Sequence, residues 1–374
     1  MSYLDAAATT PVRRQVLEAI WPYLTTTYGN PASHHEVGEA AARGLDAARR
    51  EVAEVLGARP AEITFTSGGT EGANTAIKGL ALARPRGRHV IISAVEHPAV
   101  LESARWLGTL GFEVTELGVD GDGLVSPDSL AAVLRPDTTL VSIQYANNEV
   151  GTVQPIIELT EITAGHGIPF HTDAVQAAGW LDLDVDRLGV QALSISGHKV
   201  GAPKGVGVLY VRRRTPIEPL IHGGGQQRGL RSGTEDVAGG VGMATALRLA
   251  RTADAASVSA RRDRFIAAVE SGLSGARLTG HRTRRLPGHA SFVLPGVSGE
   301  SVLLDLERHG VICSSGSACA AGSDEPSHVL TAMGVPAEVA QTALRFTFEA
   351  DTTDGDLERA AEELAATLSS RLPV

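Results

Sequence analysis

Lysine is scarce in this chain. Of 374 residues only three are lysine (Lys78, Lys199 and Lys204), against thirty arginines. Arginine stays protonated and cannot form an imine, whereas a desolvated lysine can lose its proton and attack a carbonyl. Two of the three lysines fall within six residues of each other, and scarcity elsewhere weakens the reading of that pair as two solvated lysines in a glycine-rich turn. Cysteine is rarer still. Cys313 and Cys319 cannot build a disulfide framework, and their C-x5-C spacing fits neither a zinc knuckle nor a C-x-x-C redox pair. Aromatic residues make up 4%, and no apolar run approaches the roughly 18 residues that a membrane helix requires. The first residues lack the cationic and apolar regions of a secretory signal. Positive charge is in deficit, with a formal net charge of -10, which argues against direct binding to nucleic acid or to an anionic membrane. The histidines show no H-E-x-x-H spacing, so no metal site is expected, and no G-x-S-x-G elbow occurs. The expectation is a cytoplasmic globular protein.

The pattern that is present alternates β-like and helical stretches. Helical periodicity runs from Glu36 to Leu56, near Glu71 to Ala83, near Val100 to Leu110 and from Ile156 to Ala164. Strand-like runs cover Ile63 to Thr66, His89 to Ser93, Glu113 to Leu117, Thr139 to Gln144, Ile168 to His171, Ala192 to Ile195 and Gly207 to Val211. Such alternation predicts an α/β fold whose mainly parallel sheet is covered on both faces, with the ligand site beyond the carboxyl ends of its strands. From about residue 251 the texture changes. A long helix over Thr252 to Leu273 is followed by short strands near Ala290 to Leu294 and Leu344 to Phe348. Helices near Glu300 to Arg308 and Asp356 to Leu372 complete a smaller α+β unit.

Polar clusters follow the strand-like runs. Ser67-Gly68-Gly69-Thr70-Glu71 offers backbone N–H groups at a helix start, where an anion binds, although on local grounds a simple N-cap by Ser67 or Thr70 is the preferred reading. Asp173 ends a strand as a carboxylate that needs a cation or donors, or else it caps the next helix. Ser196-Gly197-His198-Lys199 places a lysine beside a histidine, the setting of an activated amine. Ser314 to Ser323 is a tract of small residues around Cys319, expected to be a mobile loop presenting a reactive thiol, whereas Cys313 follows Val311-Ile312 and reads as a buried strand residue.

Taken together these strings resemble the cysteine desulfurases, pyridoxal-phosphate enzymes of the class V aminotransferase group. The matching stretches run in family order. They are Tyr3 to Thr10, Gly29 to Ser33, Phe65 to Glu71, Glu96-His97, Asn147 to Gly151, Asp173 to Gln176, Ser196 to Lys199, His222 to Gly225, Arg231 to Thr234 and Ser314 to Cys319. The tract ending in Cys319, followed by Glu325-Pro326-Ser327, is similar to the subgroup whose cysteine rides on a long loop. The resemblance implies a pyridoxal-phosphate fold of type I with a seven-stranded sheet. It implies an N-terminal segment over residues 1–14 packing with the small domain, a large cofactor domain over 15–251, and a small domain over 252–374 with its cysteine loop at about 314–327.

The resemblance also implies roles. Lys199 would be the Schiff-base lysine and proton shuttle, and Asp173 the partner of the pyridine nitrogen. His97 would stack on the ring and serve as a possible proton donor or acceptor, and Gln176 would bond the ring oxygen. Gly69, Thr70, Ser196 and His198 would hold the phosphate, joined by Thr234 from a second subunit of a homodimer. Asn148 would face both cofactor and substrate, and with Arg345 it would hold the substrate carboxylate. Cys319 would take sulfur from L-cysteine as a persulfide, release alanine and pass the sulfur to an acceptor protein. That acceptor would be an iron–sulfur scaffold or a tRNA-thiolation or DNA-phosphorothioation protein. After Arg345 the chain departs from the family pattern, reading Phe346-Thr347-Phe348-Glu349-Ala350, so Phe348 and Glu349 are expected to alter the carboxylate pocket. An aminotransferase, a C–S or selenocysteine lyase on a larger substrate, and an idle sulfur-relay scaffold are the competing readings. The first needs no thiol, and the last needs no lysine.

Overall fold

The structure is a computed structural model that describes residues 1–83, 85–315 and 325–369. A short strand β1 (Ser2–Tyr3) precedes α1 (Arg14–Thr25) and α2 (Glu36–Val55). The central alternation then runs β2 (Ile63–Thr66), α3 (Gly69–Ala83), β3 (His89–Ser93), α4 (Pro98–Thr109), β4 (Glu113–Leu117), α5 (Pro127–Val133) and β5 (Thr138–Ser142). It continues through α6 (Ile156–Gly165), β6 (Phe170–Asp173), α7 (Val185–Leu188), β7 (Ala192–Ser196) and β8 (Gly207–Val211). Helices α8 (Val237–Ala250) and α9 (Ala255–Gly272) lead to β9 (Arg277–Leu278), β10 (His289–Val293), α10 (Gly299–Arg308) and β11 (Val311–Ile312). The chain closes with α11 (His328–Ala332), α12 (Ala337–Ala340), β12 (Ala343–Thr347) and α13 (Asp354–Ser369).

Among the described residues the main sheet has seven strands in the order β2-β8-β7-β6-β5-β3-β4. Strand β8 pairs antiparallel with both β2 and β7, and the remaining pairs are parallel, so β8 alone runs against the other six. The expected mainly parallel seven-stranded sheet is borne out. Strands β3, β5, β7 and β8 are buried along their whole length because both faces are covered, whereas the edge strand β4 exposes its two glutamates. Val90 and Ile92 of β3 pack with Ile77 of α3 and Leu107 of α4 on one face. Ile91 joins Val52 of α2 and Met243 of α8 in the cluster on the other. Glycine lets α3 approach the sheet: a Cβ on Gly72 would lie 3.0 Å from the Ser194 Cβ of β7.

A second, antiparallel sheet, β12-β10-β9, packs with α9, α10 and α13 around Phe265, Phe292 and Phe346, whose rings meet edge to face at 5.2–6.4 Å. The first residues of the chain belong to this part of the structure. β1 pairs parallel with β11, and the Thr347 backbone exchanges hydrogen bonds with Leu4 and Ala6. Phe348 is buried in this second core, and Glu349 lies 3.8 Å from the Arg13 guanidinium. Neither residue lines the main cavity, and both line a smaller one with Gln176 and Lys199.

Within the sheet, His171 is fully buried between Ser142 Oγ at 2.8 Å and Ser194 Oγ at 3.2 Å, and burial pushes its pKa down to about 3. The unfolded chain takes up a proton on this ring near pH 6.5, whereas the folded protein refuses it until far lower. Stability from this group is therefore complete above that pH and is lost progressively as pH falls toward the folded value. The loss between pH 7 and pH 4 is about 3 kcal/mol. The expected outcome is a melting temperature that falls over this range, with a shallower fall in His171→Gln, as scanning calorimetry at stepped pH values would record.

Candidate active site

Because β2, β3, β5, β6 and β7 share one direction, the segments that follow them gather at one edge of the sheet. There they surround a cavity of about 740 Å³. After β2, the chain enters α3 through Gly68 and Gly69. A Cβ on Gly69 would stand 2.7 Å from Val175 Cγ2, so only glycine lets the helix start approach the β6 turn so closely. Neither Ser67 nor Thr70 acts as the cap. The Glu71 carboxylate reaches back to the Ser67 N–H at 2.8 Å and is held by Arg231 at 3.1 Å. Thr70 sits in the first turn of α3, where backbone N–H groups lack helical acceptors and favour an anion.

After β3 comes His97. It caps α4, its Nδ1 accepting from the Ala99 N–H at 3.1 Å. Burial pushes the imidazole toward its neutral form, opposed by the nearby Asp173 charge and reinforced by Lys199 and His328. Asp173 itself ends β6, and its Oδ1 accepts from the Val175 N–H at 2.9 Å. Burial raises its pKa, and the neighbouring His97 and Lys199 pull it back. A cation brought to this strand end would favour the carboxylate form of Asp173. Gln176 follows, its amide nitrogen donating to the Ala7 carbonyl at 3.0 Å.

After β7 stand Ser196, His198 and Lys199. The Lys199 Nζ donates to the carbonyls of Ala7 and of Ala8, the latter at 2.7 Å. His198 Nδ1 meets Thr9 Oγ1 at 3.0 Å, and burial together with Lys199 and Lys204 lowers its pKa to about 4. Lys204 is exposed at the cavity edge, while Lys78 lies over the Trp106 ring at 4.6 Å. Of the three lysines, only Lys199 is thus a shielded amine inside the cavity. On the opposite wall, Arg345 of β12 is 1% exposed. It donates from Nη1 to the Asn148 carbonyl at 3.0 Å and from Nη2 to Asp5 Oδ1 at 2.7 Å.

The structure therefore brings Gly69, Thr70, His97, Asn148, Asp173, Gln176, Ser196, His198, Lys199 and Arg345 to one cavity. Thr234 is exposed and outside its lining. Cys319 lies outside the described residues. The chain on either side of it is tied down beside the cavity. Ser314 exchanges backbone hydrogen bonds with Arg345 at 2.7 and 3.1 Å, and Ser327 Oγ donates to Glu149 Oε2 at 2.5 Å.

Two further groups, Glu96 and His328, stand at the site without a role assigned from the sequence. Glu96 is fully buried, accepting on Oε1 from Ser93 Oγ at 2.5 Å and the Gln144 N–H at 2.8 Å, and burial lifts its pKa to about 8. His328 Nε2 meets the Glu96 carbonyl at 3.0 Å and lines the cavity. Glu96 was visible only as the neighbour of His97, and His328 only as a residue just beyond the Pro326-Ser327 pair.

The Aminotransferase class-V family model matches residues 2–360. A curated relative, cysteine desulfurase IscS of Dictyoglomus turgidum, is 50% identical over 359 residues, covering 95% of this chain and 91% of that protein. A solved structure of a NifS-like protein superposes with a TM-score of 0.92 at 37% identity, covering 99% of this chain and all of that one. Another, SspA in complex with cysteine, gives a TM-score of 0.85, also at 37% identity, covering 94% of this chain and 100% of that one.

Proposed function

The chain belongs to the class-V aminotransferase family and, within it, to the cysteine desulfurases, and from that footing we propose that it binds pyridoxal 5'-phosphate in this cavity and moves sulfur from L-cysteine to Cys319. The observation that carries the reading is the convergence of one shielded amine, one buried strand-end carboxylate and one buried guanidinium on a single cavity. The residues fit the cofactor by their chemistry. The α3 start, with Gly69 and Thr70, and the β7 end, with Ser196 and His198, offer donors to a phosphate. Thr234 of a second copy would add to them in a homodimer. Asp173 would pair with a protonated ring nitrogen, His97, Gln176 and Asn148 would help to hold the ring, and Lys199 would supply the amine for covalent attachment. When bound, the cofactor serves as an electron sink for bonds made and broken at the substrate carbons.

The protein's part is to place and protonate. Arg345 and the Asn148 segment hold the substrate carboxylate, for which a planar guanidinium is suited. Lys199, its Nζ held by the Ala7 and Ala8 carbonyls, would carry a proton at the substrate Cα. Burial favours the neutral form of His97, which would exchange a proton on the ring side. The Cys319 thiolate attacks the substrate sulfur. The S–S bond forms as the Cβ–S bond breaks, and its electron pair leaves with the carbon side, which collects a proton and departs as alanine. The net change is L-cysteine and a Cys319 thiol to L-alanine and a Cys319 persulfide, which an acceptor protein then relieves of sulfur.

The test is direct. Purified protein mixed with L-cysteine and a thiol reductant is expected to form alanine and sulfide in equal amounts. Amino transfer dependent on an added keto acid, with no alanine from cysteine, would instead identify an aminotransferase.

A further inference from the structure

The Arg345 guanidinium, buried on β12, is engaged from behind by a residue the resemblance leaves without a role. Asp5 Oδ1 accepts from Arg345 Nη2 at 2.7 Å, and Asp5 does not line the cavity. Asp5 is itself held firmly. It forms a parallel bridge with Thr347, two residues beyond Arg345 on the same strand, and the Ala7 N–H donates to Thr347 Oγ1 at 2.8 Å. The Asp5 carbonyl then accepts from the Ala8 and Thr9 N–H groups at 3.0 and 3.4 Å, which turns the chain sharply. That turn presents the Ala7 and Ala8 carbonyls to Lys199, and Thr9 and Thr10 bond to His198. One six-residue stretch thus touches the guanidinium at one side of the cavity and the amine at the other.

We propose that Asp5 is a positioning residue for the substrate carboxylate, fixing the Arg345 fork at a set distance from Lys199 through the turn formed by residues 5–10. The proposal rests on the reading of Arg345 as the carboxylate anchor. The Asn148 acceptor on Nη1 and the Asp5 acceptor on Nη2 act on two nitrogens of Arg345, which defines the plane of the guanidinium, and losing the Asp5 acceptor relaxes that orientation. A displacement of about 1 Å in such a group costs on the order of a hundredfold in a reaction that depends on near-attack geometry.

The experiment compares Asp5→Asn, Asp5→Ala and Arg345→Ala holoenzymes with L-cysteine and with cysteamine, which lacks the carboxylate. Steady-state constants are measured, together with the apparent Kd from the change in visible absorption on mixing. Asparagine keeps an oxygen acceptor at the same reach without the charge, so Asp5→Asn should stay within about threefold of the parent, as expected when geometry rather than charge is preserved. Asp5→Ala should lower kcat/KM for L-cysteine about 10- to 100-fold, with kcat falling as well as affinity, because the carboxylate is no longer held at its set distance from Lys199. Its Kd for cysteamine should equal the parent's, a result that general misfolding would not give. Equal impairment of Asp5→Asn and Asp5→Ala would overturn positioning in favour of charge compensation, and an unchanged Asp5→Ala beside an impaired Arg345→Ala would remove Asp5 from the account. An Arg345→Ala enzyme with unaltered affinity for L-cysteine would instead overturn the carboxylate-anchor reading on which the proposal stands. If Asp5→Ala fails to fold, Asp5→Ser, whose shorter side chain leaves Nη2 out of reach, carries the same expectations.

Discussion

Replacing Lys199 by alanine is expected to leave a folded protein that no longer holds its cofactor covalently and forms alanine from cysteine at least about a thousandfold more slowly. The magnitude follows from two lost contributions. Proton transfer by a positioned group is worth roughly 10²–10⁴ in rate, and covalent attachment of the cofactor adds to it. No other amine in the described structure stands where Lys199 does. Lys204 is exposed at the cavity edge and Lys78 is engaged with the Trp106 ring. Lys204→Ala should therefore remain within a few-fold of the parent in alanine formation. Comparable losses in both variants would mean that the pair acts through charge alone.

The second large effect concerns the two thiols. Cys313 follows β11, packs against the second core, and lies near Asp5 and Arg345. Burial raises its pKa well above the usual thiol range, and the Asp5 charge adds to the rise. The thiolate is the nucleophile, so Cys313 presents almost none of it at neutral pH. Cys319→Ala is therefore expected to keep the cofactor and its spectral response to L-cysteine. It should lose all protein-bound persulfide and at least about 10²-fold in sulfur delivery, since an activated nucleophile has been removed. Cys313→Ala should keep both activities. Persulfide mapped by mass spectrometry after a single turnover decides the matter, and full sulfur delivery by Cys319→Ala would exclude the thiol role.

Much of the sheet was legible because runs such as His89–Ser93 and Gly207–Val211 are buried along their length and end in polar strings. Glu113–Leu117, at the sheet edge with its two glutamates exposed, is found where the sequence places it without being an apolar run. The helices α1 and α8 were not legible. In α8 the apolar and glycine residues occur on every side because the helix is buried all round, so no amphipathic period exists. In α1 the apolar Leu17, Trp21 and Leu24 face outward and blur the period set by Val16 and Ile20. The strand-end residues of the site were readable as side chains. What the N-terminal segment contributes to Lys199 is a pair of backbone carbonyls, which carry no residue signature. The buried pairing of Glu149 with Ser327 joins residues 178 apart, a relation that only the folded chain displays.

The account turns on which nitrogen carries the cofactor. Borohydride reduction of the purified holoenzyme, followed by proteolysis and mass spectrometry, should place the reduced pyridoxyl group on Lys199 alone. Recovery of the group on Lys204 or Lys78, or on no peptide, would contradict it.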